Sequence, residues 1–136
     1  MKVSRMKNFK GSWKLSMNEF VIPGELPDMN QIIKASKSHY MAYSTMKKKY
    51  TELVKTNAAH LPNIDKSDFV ITWYCKNKRI DPDNLAVGAK MIFDGLVEIG
   101  VMENDGWGNV NSITNLFEVD KANPRIEVEI FELVKK

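Results

Sequence analysis

Three aspartates and one lysine in the second half of the chain are residue types that can support phosphodiester hydrolysis. Asp81 and Asp83 are separated by a single proline, Lys90 follows seven residues later, and Asp105 comes after a further fifteen. Carboxylates without a nearby histidine or cysteine favour hard cations, which means Mg²⁺, with Mn²⁺ as an alternative, over Zn²⁺. Such a cation neutralises charge on the phosphoryl group and activates water, while a lysine adds fixed positive charge. These four residues are the candidate catalytic groups, and the three aspartates are the candidate metal ligands.

The same residues also fit an ordinary helix start that needs no chemistry. Asp81 stands at a helix N-cap position, Pro82 suits the first helical position, and the helix dipole favours Asp83 in the first turn. In that interpretation Lys90 simply faces solvent, and Asp105, which precedes a glycine, is a turn residue. The sequence leaves both interpretations open.

The helix that starts at Pro82 is predicted to continue to Gly100, with one charged and one apolar face. At 100° per residue, Asp83, Lys90 and Asp94 fall within about 20° of one line. Asp94 is therefore either a residue that supports the site or a simple partner of Lys90 four positions away. The opposite face carries an apolar stripe formed by Leu85, Ala89, Ile92, Leu96 and Ile99.

Positive charge is concentrated in two short segments. Lysine and arginine exceed aspartate and glutamate by only 20 to 17, so local clusters are better evidence for a polyanionic partner than the net charge. The first cluster consists of three lysines at residues 47–49, and it fits a solvated helix face as well as it fits a site for a polyanion. The second directly precedes Asp81, and we expect its basic residues to hold the flanking DNA backbone. They are Lys76, Lys78 and Arg79.

Other catalytic chemistries have little support in the sequence. The two histidines, His39 and His60, are far apart and suit surface positions better than a catalytic pair or a zinc site. Cys75 is the single cysteine, so an intramolecular disulfide is excluded and a reducing compartment is favoured. It lies in an apolar run of the sequence. No glycine-rich phosphate loop or serine nucleophile motif is present. Trp107, close to Asp105, stays a candidate for stacking on a base.

Residues 18–136 are predicted to form one α+β domain. Apolar and β-branched runs predict strands near 19–24, 69–75, 110–119 and 125–133, and helical spacing predicts a helix from about 38 to 59. The second strand is apolar throughout, which is typical of a central strand, whereas the alternation around Glu127 and Glu129 predicts one wet face for the last strand. The order is β-α-β-α-β-β, a mixed sheet with the helices packed on one face.

Residues 1–17 are basic, with scattered apolar positions, and are predicted to form an N-terminal arm of unassigned role. They contain no apolar stretch long enough for a signal peptide or a membrane span. We therefore expect a cytoplasmic protein without a membrane partner.

Several short motifs occur in order along the chain, and together they resemble the pattern of the RusA family of Holliday junction resolvases, found in bacteria and in their phages and prophages. The resemblance covers roughly residues 18 to 133. Its specific part is Asp81-Pro82-Asp83-Asn84-Leu85, Lys90, Phe93-Asp94-Gly95-Leu96, Gly100-Val101 and Asn104-Asp105, and its looser part is Val21-Ile22-Pro23-Gly24, Leu26-Pro27 and Asn30.

The resemblance implies a magnesium-dependent homodimer that binds four-way DNA junctions and nicks two strands symmetrically. The family's three metal-binding aspartates match Asp81, Asp83 and Asp105, and its essential lysine matches Lys90. The interval before Phe93 is about three residues longer than in the shortest members, so the match to Lys90 requires the insertion to lie before it. The alternative functions are a DNA-junction-binding protein with a resolvase-like fold but no activity, and a small protein-interaction domain.

Overall fold

The computed structural model describes residues 17–133, so the predicted basic arm lies outside the described residues except for Met17. Among the described residues, no helix is long and apolar enough to cross a membrane. The strands and helices, in chain order, are β1 (Asn18–Pro23), α1 (Met29–Ser38), α2 (Ala42–Ala58), β2 (Ser67–Cys75), α3 (Pro82–Ala86), α4 (Ala89–Glu98), β3 (Val110–Val119) and β4 (Arg125–Glu132).

The four strands form one mixed sheet in the order β1-β4-β2-β3. Strand β2 pairs antiparallel with β4 and parallel with β3, and β1 pairs antiparallel with β4. The parallel pair needs a long crossover connection, and helices α3 and α4 provide it. The predicted mixed sheet and the central position of β2 are both confirmed. The crossover also carries all four candidate catalytic residues, since Asp81 precedes α3 and Asp105 precedes β3.

The helices pack on one face of the sheet, as predicted. Phe69, Ile71 and Trp73 point from β2 into a core that they share with apolar residues of α2 and α4. The two helices cross closely at Gly95, where an added Cβ atom would lie 2.7 Å from Cγ1 of Val54. A larger residue at this position would push α4 away from α2. The fixed crossing determines where the charged residues of α4 lie.

Helix α1 is not among the elements that the sequence patterns predict. Asp28 begins the helix through a capping box: its side chain accepts a hydrogen bond from the Gln31 backbone N–H, and the Gln31 side chain accepts one from the Asp28 backbone N–H. Each of these bonds is 3.0 Å long. The two reciprocal bonds satisfy backbone donors that would otherwise lack partners.

The prediction of one continuous helix from Pro82 to Gly100 is wrong, because the chain forms two helices with a break at residues 87–88. Through the break, backbone hydrogen bonds run to the third preceding residue, as from Gly88 N–H to the Leu85 carbonyl at 3.1 Å. Gly88 packs closely under Trp73, whose ring would lie 3.3 Å from an added Cβ atom. Asp83 therefore lies on a different helix from Lys90 and Asp94, and the regular spacing of a single helix does not relate their positions.

The predicted wet face of the last strand is also corrected. Glu127 is partly buried, and Glu129 is fully buried with 0% exposure. Strand β4 is an inner strand, so side chains of β1 and β2 flank Glu129 on both sides. Alternation of charged and apolar residues predicted which face Glu129 occupies but not how much water reaches it.

Candidate active site

The segment after β2 presents the first two candidate metal ligands to solvent. Asp81 has extended backbone angles (φ −67°, ψ 147°) at the N-cap position of α3, but its side chain makes no capping hydrogen bond. Its backbone carbonyl instead accepts hydrogen bonds from the N–H groups of Asn84 and Leu85, at 3.0 and 3.1 Å. Asp83 is exposed in the first turn of the helix. The helix-start interpretation therefore explains the backbone at Asp81 but leaves its carboxylate without a structural role.

Lys90, on α4, and Asp105, in the loop before β3, are in contact. The ammonium of Lys90 lies 3.4 Å from Oδ2 of Asp105 and 3.1 Å from Oδ1 of Asp94. The pairing with Asp94, four residues along α4, was one of the two predicted roles for Asp94. The pairing with Asp105 brings two of the four candidate catalytic residues into contact.

The charge of Lys90 is stabilised by both of its acidic partners. Its pKa is raised, first by the hydrogen bond to Asp94, and then by the charge of Asp94 and by Asp105, while partial desolvation opposes the shift. Lys90 therefore carries a full positive charge at neutral pH. The carboxylate of Asp105 therefore lies beside a permanent positive charge, the ammonium of Lys90.

Asp94 has a second lysine partner that the sequence did not connect to this region. The ammonium of Lys47, on α2, lies 3.3 Å from Oδ2 of Asp94. The Asp94 side chain is only 16% exposed, so most of its surface is removed from water. No local pattern links Lys47 to Asp94, because their contact depends on how α2 crosses α4 at Gly95.

The three candidate ligands are not gathered into one cluster. Within residues 17–133, no three acidic, histidine or cysteine side chains lie close enough together to hold a metal ion. Asp105 contacts Lys90, and it does not form such a group of three with Asp81 and Asp83. Like-charged carboxylates repel each other, so a cation has to offset that repulsion before three of them can share one site. The donor chemistry of three exposed carboxylates fits Mg²⁺ or Mn²⁺, whereas their described arrangement is open.

The predicted DNA-binding residues Lys76, Lys78 and Arg79 lie in the loop between β2 and α3, and all three are exposed. The Asn77 side chain accepts a hydrogen bond of 3.0 Å from the Arg79 backbone N–H, which shapes the loop. Lys76 lies 3.9 Å from Glu25, a distance typical of a weak surface ion pair. The loop places positive charge directly before Asp81 in the chain.

The two histidines and the cysteine occupy ordinary structural positions, whereas Trp107 stays a candidate for stacking on a base. Nε2 of His60 lies 2.9 Å from the Glu19 carbonyl oxygen, and the His39 ring lies 4.8 Å from the Tyr40 ring at an angle of 32°. Cys75 is buried, and this burial raises the pKa of its thiol. Trp107 is 94% exposed, so its ring is available for stacking.

Comparison with models of protein families finds no match, and comparison with curated protein sequences finds none either. The function is therefore inferred from the residues, their geometry and the resemblance of their motifs.

Proposed function

We propose that this protein is a DNA endonuclease that resolves four-way junctions in recombination and repair, using Mg²⁺ or Mn²⁺ held by Asp81, Asp83 and Asp105. The observation that carries the proposal is the contact between Lys90 and Asp105. Phosphodiester hydrolysis needs acids for the cation and a fixed positive charge for the phosphate at one place. The motif resemblance assigned Lys90 and Asp105 to one site, and their contact supports that assignment.

Each candidate residue has a definite role in the proposal. Asp81, Asp83 and Asp105 would hold the cation, which when bound supplies Lewis acidity and activates water. Lys90 neutralises the phosphate to be cut, and the ion pair with Asp94 stabilises the positive charge of Lys90. Lys76, Lys78 and Arg79 hold the backbone beside the cut, because exposed basic side chains are the usual partners of DNA phosphates.

Symmetrical nicking of two strands requires two active sites, so the proposal includes a homodimer. Strand β3 is an edge strand with three exposed apolar side chains on one face, which makes it a suitable surface for a second copy. These are Ile113, Phe117 and Val119, at 46%, 37% and 48% exposure. The proposed location is the cytoplasm, where DNA and reducing conditions for Cys75 occur together.

The test is cleavage of a labelled synthetic four-way junction by the purified full chain, beside a linear duplex of the same sequence, with and without Mg²⁺. Paired nicks on the junction alone, and only with metal, are the expected result. Equal cutting of the duplex, or cutting that continues in the presence of a chelator, contradicts a metal-dependent resolvase.

A second function is a DNA-junction-binding protein without activity. It requires only the exposed basic side chains of Lys76, Lys78 and Arg79, which can bind phosphates without a metal ion. Against it, a pure binder gains nothing from exposed carboxylates that face phosphates. Tight junction binding without nicking in Mg²⁺ and in Mn²⁺ would identify this second function.

A further inference from the structure

The lysine segment at residues 47–49 has no role in the proposed mechanism, yet one of its members reaches the site. Lys47 contacts Asp94, and Asp94 contacts Lys90. Each carboxylate oxygen of Asp94 serves a different lysine: Oδ2 lies 3.3 Å from Lys47 and Oδ1 lies 3.1 Å from Lys90. One carboxylate thus joins a lysine of α2 to a lysine of α4.

Asp94 is suited to hold this arrangement because it is mostly removed from water. Its side chain is 16% exposed, and its Oδ2 atom is buried with no hydrogen-bond donor aligned to it among the described residues. A poorly hydrated carboxylate needs positive charge close by. The neighbouring residue, Gly95, packs against Val54 of α2, so the position of Asp94 between the helices is fixed by the core.

The two lysines remain accessible to a ligand. The side chains of Lys47 and Lys90 are 39% and 60% exposed, and each ammonium has three N–H donors. Lys90 uses two of its donors, on Asp94 and Asp105, and Lys47 uses at most one, on Asp94, so each lysine keeps a donor for a ligand. Asp94 also offsets the repulsion between the two ammonium groups, which allows both to approach one anion.

We propose that Lys47, Lys90 and Asp94 form a two-lysine site for the phosphate backbone of DNA beside Asp105, in which Lys47 binds phosphate and Asp94 positions both lysines. This inference rests on the proposed function, since the ligand is the DNA of the same site. It extends the DNA-binding surface from the loop after β2 to helix α2.

The first test is the salt dependence of four-way junction binding by the full chain in metal-free buffer. Lys47→Met removes one phosphate contact, so the slope of log affinity against log salt should fall by about 0.9, and binding at 0.1 M salt should weaken by about eightfold. Lys90→Met should have a similar effect. The matched control is Lys55→Met, which removes one charge from the same helix at a lysine paired with Glu52 and Glu98, and it should keep the wild-type slope.

The outcomes separate this inference from the proposed function. Wild-type slope and affinity for Lys47→Met, together with normal cleavage, overturn the two-lysine site and leave the nuclease intact. Equal losses for Lys47→Met and Lys55→Met overturn it as well, since they indicate a general charge effect. If the wild-type protein neither binds the junction in metal-free buffer nor cuts it with Mg²⁺, both proposals are wrong.

The second test examines Asp94 without DNA, by NMR of the lysine ammonium groups at fixed pH. In Asp94→Asn, the ammonium resonances of both Lys47 and Lys90 should shift, while that of Lys55 stays in place. A shift confined to Lys90 overturns the joined site, because Asp94 would then hold only its neighbour on α4.

Discussion

Lys90 Nζ lies 3.4 Å from Asp105 Oδ2 although the two residues are fifteen positions apart in the chain. A metal ion that binds Asp105 has to share this carboxylate with an ammonium, whereas the shorter contact of Lys90 with Asp94 leaves Lys90 held after Asp105 turns to a cation. In the proposed mechanism, Asp94 and Asp105 therefore have different roles: Asp94 holds Lys90 in place, and Asp105 binds the cation.

Asp105→Asn should lower metal-dependent junction cleavage by about 100-fold or more, because loss of even an outer partner of a metal ligand costs about 10- to 100-fold. Junction binding in metal-free buffer should remain. The control is Glu103→Gln, an exposed acid in the same loop, which should cleave at the wild-type rate. Equal cleavage rates for the two variants would show that Asp105 does not bind the metal ion.

Asp81→Ala should abolish cleavage while changing the free energy of unfolding by less than about 0.5 kcal/mol, the usual range for surface substitutions. The reason is that the Asp81 side chain makes no capping hydrogen bond. Asp28→Ala is the positive control, because Asp28 caps α1 through a capping box, and it should cost about 1 kcal/mol. Urea unfolding measures both variants, and a similar loss for Asp81→Ala would restore its role as a helix cap.

Gly95→Ala should destabilise the protein by about 1 to 3 kcal/mol, although alanine usually favours a helix. The added Cβ would lie 2.7 Å from Cγ1 of Val54 and 2.9 Å from its Cβ, too close without movement of a helix. Gly108→Ala is the matched control, since nothing lies within 4 Å of the added atom. Thermal unfolding of the two variants should differ clearly, and equal stability would mean that the α2–α4 crossing is not tight.

The hydrogen bond from Arg125 lowers the pKa of Asp120, with backbone hydrogen bonds as lesser causes. A carboxyl group whose pKa is depressed on folding contributes stability above its unfolded pKa, and that contribution is lost as the pH falls through the folded pKa. Arg125→Gln should therefore return the pKa of Asp120 towards 3.8, as measured by carboxyl ¹³C shifts in an acid titration. Lys121→Gln, a neighbouring charge change, should leave the titration of Asp120 unaltered. A normal pKa in the wild-type protein would contradict the ion pair at 2.8 Å.

The sequence by itself determined the features that depend on local order. Apolar density placed β2 at the centre of the sheet, and helical spacing located α2 to within a few residues. It placed the start of the helix at Pro82 correctly, because proline favours the first helical position and this preference is local. The capping box of Asp28 and Gln31 was also present in the sequence and could have predicted α1.

Only the tertiary structure decided the features that depend on how the helices and strands pack. Gly88, at the break between α3 and α4, packs against Trp73 of β2, and the buried Glu129 lies between residues of β1 and β2. The contacts of Lys47 with Asp94 and of Lys90 with Asp105 require helices and loops that are distant in sequence to meet. Periodicity and capping report interactions within a few residues, whereas burial and charge pairing depend on neighbours supplied by the fold.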